Sequence, residues 1–192
     1  MTMQDVDKGF NGETAGGAVV RPSREADVPA MLAIYLHHIR HGVEAGAARD
    51  VETPDLNDLR RRRKTMHRGR LPHLVAERAG VVVGYAYAVP FRKRPAYRYA
   101  VKHSIYVHHE HLSRGVGRLL LAALIDACAA AGYRQMIGYI DAANQASLRL
   151  HESFGFRQVG LLPAIGYKFG RWTDTVMVQR SLGLGATAPP EG

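Results

Sequence analysis

Apolar positions along the chain switch repeatedly between strand-like and helical spacing, and each switch marks an element. "AVVRPS" (residues 18–23) reads as a short strand. "READVPAMLAIYLHHIRHG" follows with helical spacing, with Ser23 as N-cap, Glu25 and Asp27 in the first turn and Gly42 as the stop. "TPDLNDLRRRRKTMHRG" predicts a second helix, capped by Thr53, with Pro54 at its first position. "HLVAER" and "VVVGYAYAVPF" are strands joined by a tight turn at Ala79–Gly80, and "YRYAVKHSIYVH" is a third, rich in aromatic and β-branched residues. Val116, Leu119, Leu120, Ala123, Leu124, Ala127 and Cys128 then lie on one face of a long helix that ends at Gly132. "RQMIGYID" is a strand, "NQASLRLHESFGF" a short helix closed by Gly155, and "FRQVGLL" and "DTVMVQRSL" are the last two strands.

The three middle strands predict an antiparallel meander, and the strand–loop–helix–strand unit over residues 99–140 predicts a parallel pair. The fold class is therefore α/β: a mixed, mostly antiparallel sheet with one parallel pair and helices on both faces. The polar, Gly-rich residues 1–17 and the terminal 183–192 read as disordered tails around one domain, 18–182.

A length of 192 residues, 46% of them hydrophobic, suffices for one buried core. No apolar run approaches the roughly 20 residues that span a bilayer, so no membrane role is expected. The first residues lack the basic and apolar stretches of a secretory signal. The one cysteine, Cys128, falls on the apolar helix face and fits a reducing cytoplasm. The net charge of +9 suits an anionic partner. Its densest run, Arg60–Lys64 followed by Arg68 and Arg70, reads either as a phosphate or nucleic-acid patch or as a solvated helix face. No stacking aromatics are interleaved with it, which argues against a nucleic-acid partner. In "HHEH" (108–111), a strand end puts only His109 and His111 on one side, fewer than the three or four ligands a metal takes, and no metal is expected.

The candidate chemistry lies in "SRGVGR", residues 113–118, where a strand becomes a helix. Gly115 and Gly117 let the backbone approach an anion, the helix N-terminus offers free N–H groups, and Arg114 and Arg118 add charge. A pyrophosphate fits there, but Leu120 replaces the third glycine of a dinucleotide fingerprint and no Gly-Lys-Ser/Thr follows. A tight strand–helix turn without ligand is the other reading. Downstream, Asn144, Ser147 and His151 share one helix face.

Together these residues resemble the GCN5-related N-acetyltransferase (GNAT) superfamily. Asn144–Phe156 is similar to its second cofactor motif. "VAERAGVVVGYAYAVPFRKRPAY", "SIYV", "RLHESFGF" and "GYKFGRWTDTVMVQR" resemble its phosphinothricin and L-amino-acid N-acetyltransferase branch over about Val19–Leu182. The resemblance implies the GNAT acyltransferase fold, with its parallel pair splayed around acetyl-CoA, and transfer of the acetyl group to the primary amine of a small molecule. It implies that Ile105, Tyr106 and Val107 pair with the pantetheine arm, and that Ser113, Arg114, Gly115, Val116, Gly117 and Arg118 hold the pyrophosphate. It further implies that Asn144 and Ser147 lie near the thiol and that His151 lies near the leaving sulfur, as acid or holding a water. Arg92, Arg94 and Tyr97 are implied in the acceptor pocket, and a homodimer as the assembly.

The sequence departs from that branch in three places. Lys102 occupies the position of the glutamate base, in "VKHSIYV"; Leu112 replaces a polar residue at the start of the loop; and "GVEAGAARDVE" replaces the usual acceptor segment. A charged lysine accepts no proton, so Lys102 binds an anionic acceptor group, or Glu44 or His151 supplies the base. His103 takes the base's place only if a bulge re-aims it, because neighbours on a strand face opposite ways. An acetyl-CoA-binding domain with altered acceptor or impaired catalysis is the alternative.

Overall fold

The computed structural model describes residues 17–41, 54–168 and 170–189. The elements run β1 (Ala18–Pro22), α1 (Val28–His41), α2 (Leu56–Arg68), β2 (His73–Arg78), β3 (Val81–Pro90), β4 (Ala100–Val107), α3 (Val116–Ala130), β5 (Gln135–Asp141), α4 (Gln145–Ser153), β6 (Arg157–Lys168) and β7 (Arg171–Ser181). They build one seven-stranded sheet in the order β1-β2-β3-β4-β5-β7-β6. Only β4 and β5 are parallel. The element order and mixed sheet match the sequence pattern.

Several boundaries differ from expectation. Before α1 the chain makes a 3-10 turn, Glu25–Asp27, and Arg24, not Ser23, is the N-cap. Asp27 folds back to accept from the Arg24 backbone N–H at 2.6 Å. Ser23 instead accepts from Arg63 Nε at 2.9 Å. The cap of α2 is Asp55, in a reciprocal bond pattern with Asp58, so Pro54 lies before the helix and not at its first position. The predicted cap Thr53 and stop Gly42 lie outside the described residues. β6 runs well past its predicted end at Leu162 and β7 starts ahead of its predicted start at Asp174, and the two form a hairpin, because Gly166–Lys168 pairs with Arg171–Thr173 beyond an irregularity at Leu162/Gly166. Residues 97–99 do not begin β4: Pro95–Tyr97 is a 3-10 turn.

The sheet has a core on each face. On one, α3 packs Val116, Leu120, Leu121, Leu124 and Cys128 against Val83, Ala86, Val101, Met136 and Val178. Burial raises the Cys128 thiol to about 12, leaving it an inert apolar side chain. Helix and sheet approach so closely that a Cβ on Gly84 would lie 3.0 Å from both Leu120 Cδ1 and the Tyr106 carbonyl. On the other face α1 and α2 bury Val28, Met31, Ile34 and Leu59 against Val75, Val82 and Tyr85. At about 25 cal/mol per Å² of apolar surface removed from water, these two layers are the main source of stability.

The basic run is the outer side of α2. Arg60 pairs with Glu25 at 3.1 Å, Arg61 with Asp58, and Arg63 with Glu25 at 3.6 Å and with Ser23. Nearby, Arg21 bridges Asp27 at 2.8 Å and Glu77 at 2.6 Å. Burial alone would raise the Asp27 carboxyl, but hydrogen bonds from Arg21 and the Arg24 backbone outweigh it and hold the group below its ordinary range.

Candidate active site

The site begins where the sheet fails to close. β4 and β5 pair at Ala100–Gln135, Val101–Met136 and Lys102–Ile137, and then stop. β4 stays paired with β3 as far as Val107, and β5 stays paired with β7 as far as Asp141. A wedge therefore opens between two central strands. The backbone alternates in direction along β4: His108 N–H reaches Val83 O on β3 at 2.9 Å, so His103, Ile105 and Val107 turn their N–H and C=O toward β5; the Lys102–Ile137 pair uses the His103 N–H, and the His103 C=O and both groups of Ile105 and Val107 face the wedge. They form an unpaired strand edge inside the sheet, a row of donors and acceptors fit for an extended amide-bearing chain. One acceptor in the row is taken, since His38 Nε2 donates to Val107 O at 2.7 Å.

The wedge leads to the glycine loop. Gly115 is the N-cap of α3, with φ 82° and no side-chain cap. That left-handed backbone is strained for any other residue, and a Cβ there would meet nothing, so conformation alone asks for glycine. Gly117 is different: a Cβ would come 3.3 Å from Leu150 Cδ2 and 3.7 Å from Val107 Cγ2, so it lets α3 sit down between β4 and α4. The first N–H groups of α3 point into the loop without intrahelical partners. Arg114 is exposed, and Leu112 is 51% exposed. Arg118 leans on the end of α4, at 3.3 Å from Ser153 Oγ and over the Phe154 ring at 5.1 Å.

α4 closes the wedge from the α3 side. Asn144 is its N-cap and accepts from the Ser147 N–H at 3.0 Å. His151 is no exposed helical histidine; it is 4% exposed. Its Nδ1 lies 2.7 Å from Ser147 O and 3.4 Å from Ser147 Oγ, and its Nε2 lies 2.9 Å from Nε2 of His103.

Sequence reasoning missed that contact. β4 is regular against β3, with no bulge, so His103 does face away from Lys102. It points to the α3 and α4 side with Val101, Ile105 and Val107, is 8% exposed, and sets its Nδ1 3.0 Å from Ile137 O. Gly138 makes room for the ring, since a Cβ there would lie 3.0 Å from both His103 Cε1 and Val178 Cγ2. The signal was available: a histidine in step with three apolar residues on a strand is a buried polar group, and such groups have partners. Burial, and then the charge of His151, push His103 well below the ordinary histidine range. Burial also lowers His151, against the opposing bond to Ser147.

The other side of β4 carries Lys102, Ser104 and Tyr106. Lys102 is exposed and, among the described residues, forms no salt bridge. Tyr106 is packed among Tyr35, Tyr85, Tyr87 and His38, and burial raises its hydroxyl above the ordinary range. Arg92, Arg94 and Tyr97 stand in the β3–β4 connection, at the end of β4 remote from the glycine loop. Arg92 lies over Phe91 and Tyr97, at 5.5 and 5.4 Å. Glu44 and Glu52 lie outside the described residues. His109–His111 is a 3-10 turn rather than a strand end. It gathers donors of His108, His109 and Glu110 within 4.8 Å, where a strand would have aligned His109 with His111.

Comparison with known proteins agrees with this geometry. The model of the acetyltransferase (GNAT) family matches residues 40–156. The chain is similar to a phosphinothricin N-acetyltransferase of Alcaligenes faecalis, 45% identical over 173 residues that cover 90% of this chain and 86% of that protein. It is 37% identical to the L-amino acid N-acyltransferase MnaT of Escherichia coli, over 85% of this chain and 93% of that one. Among solved structures, a GNAT superfamily phosphinothricin acetyltransferase from Sinorhizobium meliloti in complex with AcCoA superposes with a TM-score of 0.84 at 38% identity, covering 91% of this chain and 93% of the other.

Proposed function

The chain belongs to the acetyltransferase (GNAT) family, and from that premise we propose that it moves the acetyl group of acetyl-CoA directly to the primary amine of a phosphinothricin-like or amino-acid acceptor. The carrying observation is the open wedge between β4 and β5 that ends on the glycine loop at the start of α3. Such an edge suits the two amides of a pantetheine arm along Ile105 and Val107, while Tyr106 between them turns its backbone to β3 and does not pair with the arm, and the N–H groups of Val116, Gly117 and Arg118 suit the pyrophosphate. Acetyl-CoA supplies the activated thioester. Backbone N–H groups of the unpaired edge polarise its carbonyl, and the amine attacks without a covalent enzyme intermediate. Asn144 and Ser147 sit at the mouth of the wedge near the thiol, and His151 is the proton-carrying group beside them.

Acceptor selection belongs to the other face of β4. Lys102 replaces the base of this branch and offers a cation to a carboxylate or phosphinate. Arg92, Arg94 and Tyr97 line the approach at the same end of the strand. We also infer one domain over residues 18–182, a cytoplasmic location in keeping with the buried Cys128, and no metal requirement. A homodimer is proposed through the β6–β7 hairpin, which exposes Val159, Leu161, Ile165, Tyr167 and Trp172. Sedimentation tests the dimer.

The function is tested by calorimetry with acetyl-CoA followed by thiol release over a panel of amino acids, simple amines and phosphinothricin, with Lys102→Glu alongside. Binding with turnover of at least one amine is expected. Binding without turnover on the whole panel would leave only a cofactor-binding domain, a reading the named acetyltransferase relatives do not favour.

A further inference from the structure

The hydrogen-bond geometry at His103 and His151 sets a proton count. A carbonyl oxygen only accepts, so His151 Nδ1, 2.7 Å from Ser147 O, carries a hydrogen. His103 Nδ1, 3.0 Å from Ile137 O, carries one for the same reason. In two neutral rings both Nε2 atoms are then bare, and they would face each other lone pair to lone pair across 2.9 Å. Moving either ring to its other tautomer removes a hydrogen from a buried backbone bond. A single extra hydrogen between the Nε2 atoms satisfies all three contacts at once.

We propose that His103 and His151 share one proton and act as a unit, with His103 a positioning residue for the acetyl transfer. This rests on the acetyltransferase reading above. The surroundings limit the pair to that one charge. Facing His103 are Ala88 of β3, Ile137 and Gly138 of β5, Val178 of β7 and the ring of Phe156 at 5.4 Å, none of them titratable. α3 presents Val116, Leu120 and Leu124 on this side, while its charged residues Arg118 and Asp126 are exposed, as are Arg149 and Glu152 of α4; Arg180 of β7 shares the face of Val178 but is turned to the Phe154 carbonyl, at 2.5 Å. Lys102 points to the other face. No carboxylate among the described residues faces the pair, so burial, which lowers both rings, opposes any charge there; the bond that one shared proton makes between the two Nε2 atoms offsets that cost, and repulsion between the rings excludes a second proton.

The outlet is Ser147, whose hydroxyl lies 3.4 Å from His151 Nδ1 and is the pair's one hydroxyl contact among the described residues. In the reaction the amine nitrogen bonds to the thioester carbon and the C–S bond breaks, its electron pair going to sulfur. Ser147 Oγ passes its hydrogen to the sulfur and takes the one on His151 Nδ1, and the shared proton settles on His151 Nε2. The surplus proton of the new amide nitrogen then refills the pair, so the products are the amide and the free thiol.

The test is a proton-coupled nitrogen spectrum of ¹⁵N-histidine-labelled protein at pH 7.5, with the two rings assigned by their loss in H103Q and H151Q. The expected result is protonated-type Nδ1 signals on both rings and Nε2 signals midway between bare and protonated positions. Two bare Nε2 atoms, or a bare Nδ1 on either ring, overturns the proposal. The second measurement is kcat against pH. H103Q keeps a donor toward His151 but holds no proton, so kcat falls about tenfold or more, the alkaline limb moves to lower pH, and the KM for acetyl-CoA stays near wild type. H103Q with wild-type kcat and profile means that His103 only props His151, and the proposal is wrong. If no amine supports turnover, the functional reading fails while the spectrum still decides whether the proton is shared.

Discussion

On the α3 side of β4, every side chain from Val101 to Val107 has a fixed neighbour: Val101, Ile105 and Val107 join the core and His103 is bonded at both ring nitrogens. On the other side the row Tyr106, Ser104, Lys102 runs from a buried aromatic stack out to solvent. One strand thus presents a preorganised wall and a graded, partly open one. Groups that hold the same cofactor in every turnover belong on the first, where packing fixes their geometry. Groups that choose an acceptor belong on the second, where an exposed substitution changes charge at small cost to the fold. The glutamate-to-lysine departure falls on the tolerant wall, while the histidine pair lies on the rigid one.

The sharpest way to break this comparison is His151→Ala. It removes the ring beside the wedge and leaves His103 Nε2 buried without its partner. We expect kcat to fall about 10²- to 10⁴-fold, the usual range for an acid–base group, with acetyl-CoA affinity by calorimetry little changed. A parallel collapse of affinity would show that chemistry and cofactor binding are not separable on the rigid wall.

The Lys102 side of the sheet has its own histidine in apolar surroundings. His73 stacks with Tyr85 and Tyr87 behind α1 and α2, beside a small cavity of about 30 Å³, and its Nδ1 is buried with no partner among the described residues. Burial, and then the charge of Arg63, lower it from 6.5 to about 4. The unfolded chain therefore takes up a proton before the folded one does. Stability is complete above the unfolded value of 6.5 and is lost as pH falls toward 4. At 1.36 kcal/mol per unit the loss reaches about 3 kcal/mol. Urea unfolding between pH 7 and 4 measures it, and His73→Phe, which keeps the stacking, should flatten that part of the curve. An unchanged slope in His73→Phe would assign the loss elsewhere.

Gly115→Ala tests the loop that the rigid wall feeds. No atom lies within 4 Å of the new Cβ, so the only cost is a left-handed backbone for alanine, about 1–2 kcal/mol. For a chain of this size each kcal/mol moves Tm by roughly 2–4 °C. Acetyl-CoA affinity should weaken as the loop relaxes, and Gly115→Asn should cost less than Gly115→Ala on both readouts. Equal costs for the two would mean that φ is not the reason for glycine.

The element order, the one parallel pair, the glycine loop and the α4 face were legible because each is written in local spacing. Caps were less so: Ser23 is a better N-cap than Arg24 by propensity, but it is drawn away by Arg63, forty residues on. The length of the β6–β7 hairpin was hidden because its distal half exposes residues on both faces and shows no alternation. The His103–His151 contact joins residues 48 apart through a strand and a helix that meet only in the fold. Parity along β4 told which way His103 faces but not what waits there. The same parity puts Lys102 on the opposite face of β4 from His103, away from His151.

The smallest expected effect is that of Lys102→Gln. The side chain is exposed and unpaired among the described residues, so stability should change by no more than about 0.5 kcal/mol. A charge at about 4 Å in water is worth about 1 kcal/mol, roughly fivefold in an equilibrium. Removing it should lower the KM for acceptors carrying only an ammonium by a few-fold, and raise it for acceptors with a carboxylate or phosphinate by a similar factor. The KM for acetyl-CoA should not move, because Lys102 lies across the strand from the wedge-closing helix. Raising the salt concentration should shrink both acceptor effects, as screening requires of an exposed charge. A change in acetyl-CoA affinity, or a salt-independent effect, would place Lys102 on the rigid side of β4 and dissolve the distinction between the two walls.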